Sequence, residues 1–190
     1  MKKIILSLST LLFCIACSNL KPLIGTEIIT TDDGRERVEN QMENFSVLYY
    51  GDYEFKKINK KLLKKLPAHL TQTIQSGTEI VYAAETSIEP FCATLGLLHR
   101  KETFESLTGK IERKLSKSTK AKDIKRTKQL INEKTYTKLT YTVDETKFAE
   151  YFEVQENKVF RIIFWTKENN DLWFYREARG ILKSLPTASK

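Results

Sequence analysis

The chain has 190 residues, with 32 lysines and arginines against 24 aspartates and glutamates, a formal charge of +8 and a pI near 9.3. Its hydrophobic content of 41% and aromatic content of 11% are those of a globular protein, which leaves room for one domain with a single sizeable core. Seven glycines in the whole chain argue against sites that cradle a ligand with backbone alone.

Lys2 and Lys3 lead an apolar run from Ile4 to Ile15 that stops at Ala16-Cys17. A short cationic head, an apolar stretch of that length and a small residue before the cut form an export signal, too short to span a bilayer as a permanent helix. The cysteine after the small residue resembles the lipobox of bacterial lipoproteins, where the thiol receives a diacylglyceryl group and the residue becomes the new N-terminus. Cys14 stands three before Cys17, where that pattern usually has Leu. Cleavage before Cys14 would put bulky Phe13 at the cut, so Cys17 is the expected lipidation site. Ordinary secretion with complete removal of the segment is the alternative. The expected division is a signal peptide at 1–16, lipidated Cys17 with a tether to 44, a domain at 45–186 and a tail at 187–190. Cys92 is then the one thiol left, and no internal disulfide is possible.

Without residues 1–16 the balance is 30 basic against 24 acidic side chains, since Lys2 and Lys3 leave with the signal. Charge is concentrated in two places. Residues 56–65 hold six lysines and no acid, and residues 110–128 hold nine basic residues against Glu112 and Asp123. The rest of the chain is therefore acidic on balance.

Residues 18–44 are polar and broken by Pro22, Gly25 and the Asp32-Asp33-Gly34 turn signal. As a flexible tether such a segment spans on the order of 25–30 Å. Alternatively, Thr26–Thr31 and Arg35–Glu39 form a β-hairpin around the Asp-Gly turn and belong to the fold. Phe45–Tyr50 is a short β-prone run. Apolar residues at 55, 58, 62, 63 and 66 predict a helix over Phe55–Leu66 with lysines between them, followed after Pro67 by a second helical piece reaching Ile74. Glu79–Ala84 and Phe91–Leu98 read as strands. Thr103 caps a helix carrying Phe104, Leu107, Ile111 and Leu115, and 116–123 reads as a basic loop.

Three β segments follow, Thr137–Val143, Phe148–Gln155 and Val159–Trp165, the last two joined by a tight turn at Glu156-Asn157-Lys158. Val159, Ile163 and Trp165 point one way and Phe160, Ile162 and Phe164 the other; Arg161 alone breaks the run. A strand apolar on both sides is buried on both faces, which predicts helices covering both sides of the sheet. Asp171 then caps a final helix carrying Phe174, Ala178, Ile181, Leu182 and Leu185, ended by Pro186.

The order of these elements, with the closing hairpin KFAEYFEVQENKVFRIIFWT and the terminal helix LWFYREARGILKSLP, resembles the PsbP-like family, shared by the photosystem II extrinsic protein, the Ran-binding Mog proteins and the bacterial DcrB-type lipoproteins. The resemblance spans about Phe45 to Leu185 and implies an α+β fold, an α/β/α sandwich with a mainly antiparallel sheet. It also implies an accessory or interaction role without catalysis.

The residues offer little chemistry of their own. Cys92 and His99, seven positions apart on one strand, fall on opposite faces and about 23 Å apart. Two histidines without a cysteine or carboxylate at ligand spacing make no metal cluster, and no cofactor is expected. The aromatic group Phe164, Trp165, Trp173, Phe174 and Tyr175 has the spacing of core packing between the last strand and last helix. The sharper feature is Lys56, Lys57, Lys60, Lys61, Lys64 and Lys65, which suit anionic headgroups, an anionic envelope polymer or an acidic protein. Against this stands the solvated face of an ordinary amphipathic helix. Nucleic acid is disfavoured, because export removes the chain from it and no aromatics interleave the lysines. The expectation is a cell-envelope lipoprotein, at the outer membrane or the periplasmic face of a membrane, that binds and does not catalyse. The alternatives are an envelope sensor or complex subunit docking an acidic partner through its lysines, and a small enzyme with an unrecognised site.

Overall fold

The computed structural model describes residues 21–49, 53–74, 77–86, 92–118, 120–131, 134–155, 157–167 and 178. Eleven strands are described: β1 (Lys21–Pro22), β2 (Glu27–Thr30), β3 (Glu36–Asn40), β4 (Phe45–Tyr49), β5 (Tyr53–Phe55), β6 (Thr78–Thr86), β7 (Cys92–His99), β8 (Ala121–Ile131), β9 (Lys134–Val143), β10 (Thr146–Gln155) and β11 (Lys158–Thr166). The helices are α1 (Lys60–Lys65), α2 (Ala68–Thr73) and α3 (Phe104–Ser116), with a 3-10 turn at Gln41–Glu43. The fold is α+β. Its main sheet runs β1-β6-β7-β11-β10-β9-β8, with β5 also paired to β6, and every pairing except β1 with β6 is antiparallel.

β11 sits between β7 and β10, and its alternation is resolved as expected, with each face packed into a separate core. Val159 and Ile163 face α1, α2 and α3, whose Leu63, Leu70, Leu107, Ile111 and Leu115 close over them. Phe160, Ile162 and Phe164 face the second sheet, β2-β3-β4, through Val38, Phe45, Val47 and Tyr49. Ala178, a helical residue with no exposed surface, belongs to this second core. The cover on this face is therefore largely a sheet among the described residues, where the sequence pattern led us to expect helices. The rest of the expected final helix, including Trp173, Phe174 and Tyr175, lies outside the described residues.

Three expectations are corrected. From Lys21 onward the tether is part of the fold: β2 pairs β3 around the Asp-Gly turn, β3 pairs β4, and Val38 and Asn40 have no exposed surface. Asn40 explains the local closure, because its amide donates to the Ile24 carbonyl at 2.9 Å and its Oδ1 accepts from Glu43 N. The helix expected over 55–66 begins only at Lys60. The amide of Lys56 donates to Ala83 O, extending the β5–β6 pairing, and Asn59 Oδ1 then accepts from Lys61 N and Leu62 N to start α1. Phe55 and Ile58 consequently pack into different cores. The basic loop 116–123 ends at Lys120, where β8 starts, an edge strand with Lys122, Lys125 and Lys128 exposed. Lysines on an exposed edge discourage pairing with other chains, which accounts for much of this charge without a ligand.

A register shift between Ile80 and Tyr82 turns Val81 and Tyr82 to the same core and lays the Tyr82 ring over Gly96. A Cβ at Gly96 would lie 2.3 Å from that ring, which is itself fixed against Phe45, Tyr49 and Phe55. Gly96→Ala is expected to destabilise the domain by about 1–3 kcal/mol in urea unfolding, and most of that cost is expected to vanish in a Tyr82→Ala background. Equal costs in both backgrounds would remove the ring as the cause.

Candidate anion-binding face

Asn59 starts α1 so that Leu63 and Leu66 turn inward, and this leaves its lysines outside. Lys57, Lys60, Lys61, Lys64 and Lys65 are exposed and make no ion pair with any described residue. Lys56 differs: its Nζ reaches Glu54 Oε2 at 2.8 Å and Glu85 Oε1 at 3.0 Å, and these bonds raise its pKa. The structure thus separates the six sequence candidates into one internally neutralised lysine and five free ones, split between the approach to α1 and α1 itself. Cys17 lies outside the described residues.

At the end of α1 the Leu66-Pro67 corner overhangs the sheet and leaves a groove of about 420 Å³. Leu62, Leu66, Ala83, Ala93 and Trp165 form its apolar wall, while Lys56, Lys65, Lys167 and Glu85 stand at its edge. Trp165 is only half-buried because its neighbour across the β7–β11 pairing is Ala93, and it stacks on Phe148 with ring centroids 6.5 Å apart. Trp165 was expected in the core; its ring does pack there, but one part lines this groove. Lys167 and the Trp165 surface carry no sequence signal, since only the β6-β7-β11 order brings them beside α1.

Two other grooves, about 600 and 490 Å³, share Phe104, Val154 and Lys158. Most of their cations are committed, although Lys101, at the smaller groove, is exposed and has no ion pair among the described residues. Lys134 pairs with Glu153 at 2.8 Å, and Lys158 with Glu43 at 2.9 Å. Glu43 also binds Arg100 at 2.5 Å, and Arg100 holds its carboxyl below the usual range.

Beneath α2 lies a buried polar chain. Glu150 and Arg161 have no exposed surface, and the guanidinium donates through Nε and Nη2 to both carboxylate oxygens at 2.9 and 2.8 Å. Arg161 also donates to Thr73 Oγ1, and the Tyr141 hydroxyl donates to Glu150 at 2.5 Å. His69 Nε2 is 3.2 Å from that hydroxyl, and burial pushes its pKa down to about 4. Burial, with the Glu150 charge adding to it, raises the Tyr141 hydroxyl well above its ordinary value. The chain ties α2 to the sheet; Tyr141, Glu150 and Arg161 are buried, and His69, at its outer end, is partly open to solvent.

Cys92 and His99 lie at opposite ends and on opposite faces of β7, as their spacing requires. His99 Nδ1 is 3.2 Å from Thr78 Oγ1, and its imidazole is buried beside Val159. No group of three or more His, Cys, Asp or Glu able to hold a metal occurs among the described residues.

No family model and no curated protein matches the chain. Among solved structures it is similar to the solution structure of cyanobacterial PsbP (CyanoP) from Synechocystis sp. PCC 6803, with a TM-score of 0.55 and 11% identity over 84% of this chain and 94% of that one. A crystal structure from Bacteroides thetaiotaomicron VPI-5482 is similar at a TM-score of 0.44 and 10% identity, over 88% of this chain and 50% of that one. The fold is PsbP-like, with a mixed sheet of mostly antiparallel strands and few helices.

Proposed function

We propose that this chain is a bacterial cell-envelope lipoprotein, held to a membrane through Cys17, whose PsbP-like domain acts as a binding or accessory module and not as an enzyme. The observation that carries the reading is the set of exposed lysines, Lys57, Lys60, Lys61, Lys64 and Lys65, with no ion pair among the described residues and gathered at one place on that fold. Each lysine near an anionic surface contributes up to about 1 kcal/mol, and an acyl anchor with a polybasic patch is a sufficient pair of signals for stable membrane association. The same face supports a second reading, in which the lysines dock an acidic protein of the envelope.

The intact mass of the membrane-extracted protein tests the anchor. The expected result is the chain from Cys17 plus acyl groups, resistant to high-salt washing, with both properties lost in Cys17→Ala. An unmodified chain cut elsewhere would overturn the anchored reading. For the lysine face, Lys60→Glu, Lys61→Glu, Lys64→Glu and Lys65→Glu together are expected to release the anionic partner at moderate salt while leaving the acylated mass unchanged. Retention of every partner by that variant would remove the face from the function.

A further inference from the structure

The groove beside α1 brings two properties together. Its wall is apolar, and its charge is not neutralised. Lys56 and Glu85 satisfy each other at one edge of it, whereas Lys65 and Lys167 are exposed on its rim with no acidic partner among the described residues. By contrast the 600 Å³ groove is larger, but its Lys134 and Lys158 already hold carboxylates. Three lysines against one glutamate leave this groove with two uncompensated positive charges above Leu62, Leu66, Ala83, Ala93 and Trp165.

We propose that this groove binds a small amphipathic anion: an apolar chain or ring ended by a carboxylate or phosphate. The apolar part lies along Trp165, where two alanines leave room against the indole, and the anionic end meets Lys65 and Lys167. The volume, about 420 Å³, falls in the range of small-molecule sites. Orientation follows from the charge, since Glu85 and Lys56 close one edge as a neutral pair and the free lysines stand elsewhere on the rim. The inference goes beyond the proposed function and depends neither on the Cys17 anchor nor on a protein partner. The ligand chemistry has two sources, a soluble metabolite or the anionic end of a membrane lipid.

The test is titration of the protein with octanoate and octyl phosphate, followed by tryptophan fluorescence and calorimetry, against octanol and octyltrimethylammonium as neutral and cationic controls. Saturable binding of the anions is expected, at least about tenfold tighter than either control. Lys65→Gln with Lys167→Gln is expected to weaken it by at least about tenfold, while Lys122→Gln with Lys128→Gln, on the β8 edge, leaves it unchanged. Trp165→Phe is expected to remove the fluorescence response. Both lysine variants replace exposed side chains, and their urea midpoints check that the fold is intact. Equal binding of octanol, no saturable binding of either anion, or full binding by the Lys65/Lys167 variant would each overturn the proposal. Phosphatidylglycerol and phosphatidylcholine vesicles separate the sources. Binding of the soluble anions without vesicle binding assigns a free metabolite. Added phosphatidylglycerol binding, lost in the same variant, assigns a lipid. Vesicle binding without binding of the soluble anions overturns the groove as the site.

Discussion

Replacing Arg161 by methionine is expected to lower stability by about 3–5 kcal/mol, because it strands the Glu150 carboxylate in the core with only Tyr141 as a donor. Glu150→Gln is expected to cost a comparable amount by leaving the guanidinium uncompensated, the more so because Arg161 Nη1 already has no partner among the described residues. The double variant Glu150→Leu with Arg161→Met is expected to return to within about 1 kcal/mol of the parent, since a buried ion pair barely outweighs the desolvation of its two charges. Urea unfolding at unchanged m-value measures all three. Additive losses in the double variant would mean that the pair fixes α2 through Thr73 and not through mutual neutralisation. This ion pair joins the neighbouring strands β10 and β11, and Arg161 extends it to α2 through Thr73. It replaces a purely apolar contact at the place where the helix layer must find its position.

The second expected result concerns acid. His99 has 2% of its surface exposed, and burial, with Arg161 nearby, lowers its pKa from 6.5 to about 3. The unfolded chain therefore takes up a proton on this imidazole below pH 6.5, while the folded chain does not until about pH 3. Stability from this group is complete above pH 6.5 and is lost as pH falls from there toward 3, by up to about 1.4 kcal/mol per unit and on the order of 5 kcal/mol in all. His69 adds a smaller contribution of the same sign between 6.5 and about 4, reduced because its ring is partly open to solvent. Glu43 and Glu102, held below their ordinary values chiefly by Arg100 and Lys110, contribute only at lower pH. Unfolding free energy measured between pH 7 and 5 is thus expected to fall with acid, and His99→Gln to flatten about half of that slope. An unchanged slope in His99→Gln would place the acid sensitivity elsewhere.

Much of the sheet could be read from the chain, for definite reasons. β9, β10 and β11 alternate strongly and are joined by short turns, so each side chain's face follows from its parity; the apolar double face of β11 then places it between other strands. The opposition of Cys92 and His99 followed from the same arithmetic. β8 was not legible because an edge strand rich in lysine is polar on both sides and looks like a loop. The Phe55–Leu66 stripe misled because Phe55 and Ile58 are apolar for different cores, which only the β5–β6 pairing reveals. At the candidate site, the lysines were legible as a cluster. Lys167, the exposed part of Trp165 and the neutralising role of Glu85 were not, because they reach α1 through strands distant in sequence. Arg161 stood out as an interruption, but its partner Glu150 did not, since nothing local distinguishes it from solvent-facing glutamates.

The incorporation of residues 21–44 into the sheets bears on the anchor proposed at Cys17. Only four peptide units separate Cys17 from β1, a reach of at most roughly 14 Å. With Cys17 acylated as proposed, a domain so closely held would have little freedom to tumble, and its membrane-proximal pole would be set by where β1 lies, along the start of β6. Exposed Ile24 and Met42 stand at this pole, 81% and 70% open to solvent. Under that proposal the compass bearing of each face relative to the bilayer would be written into the first strand.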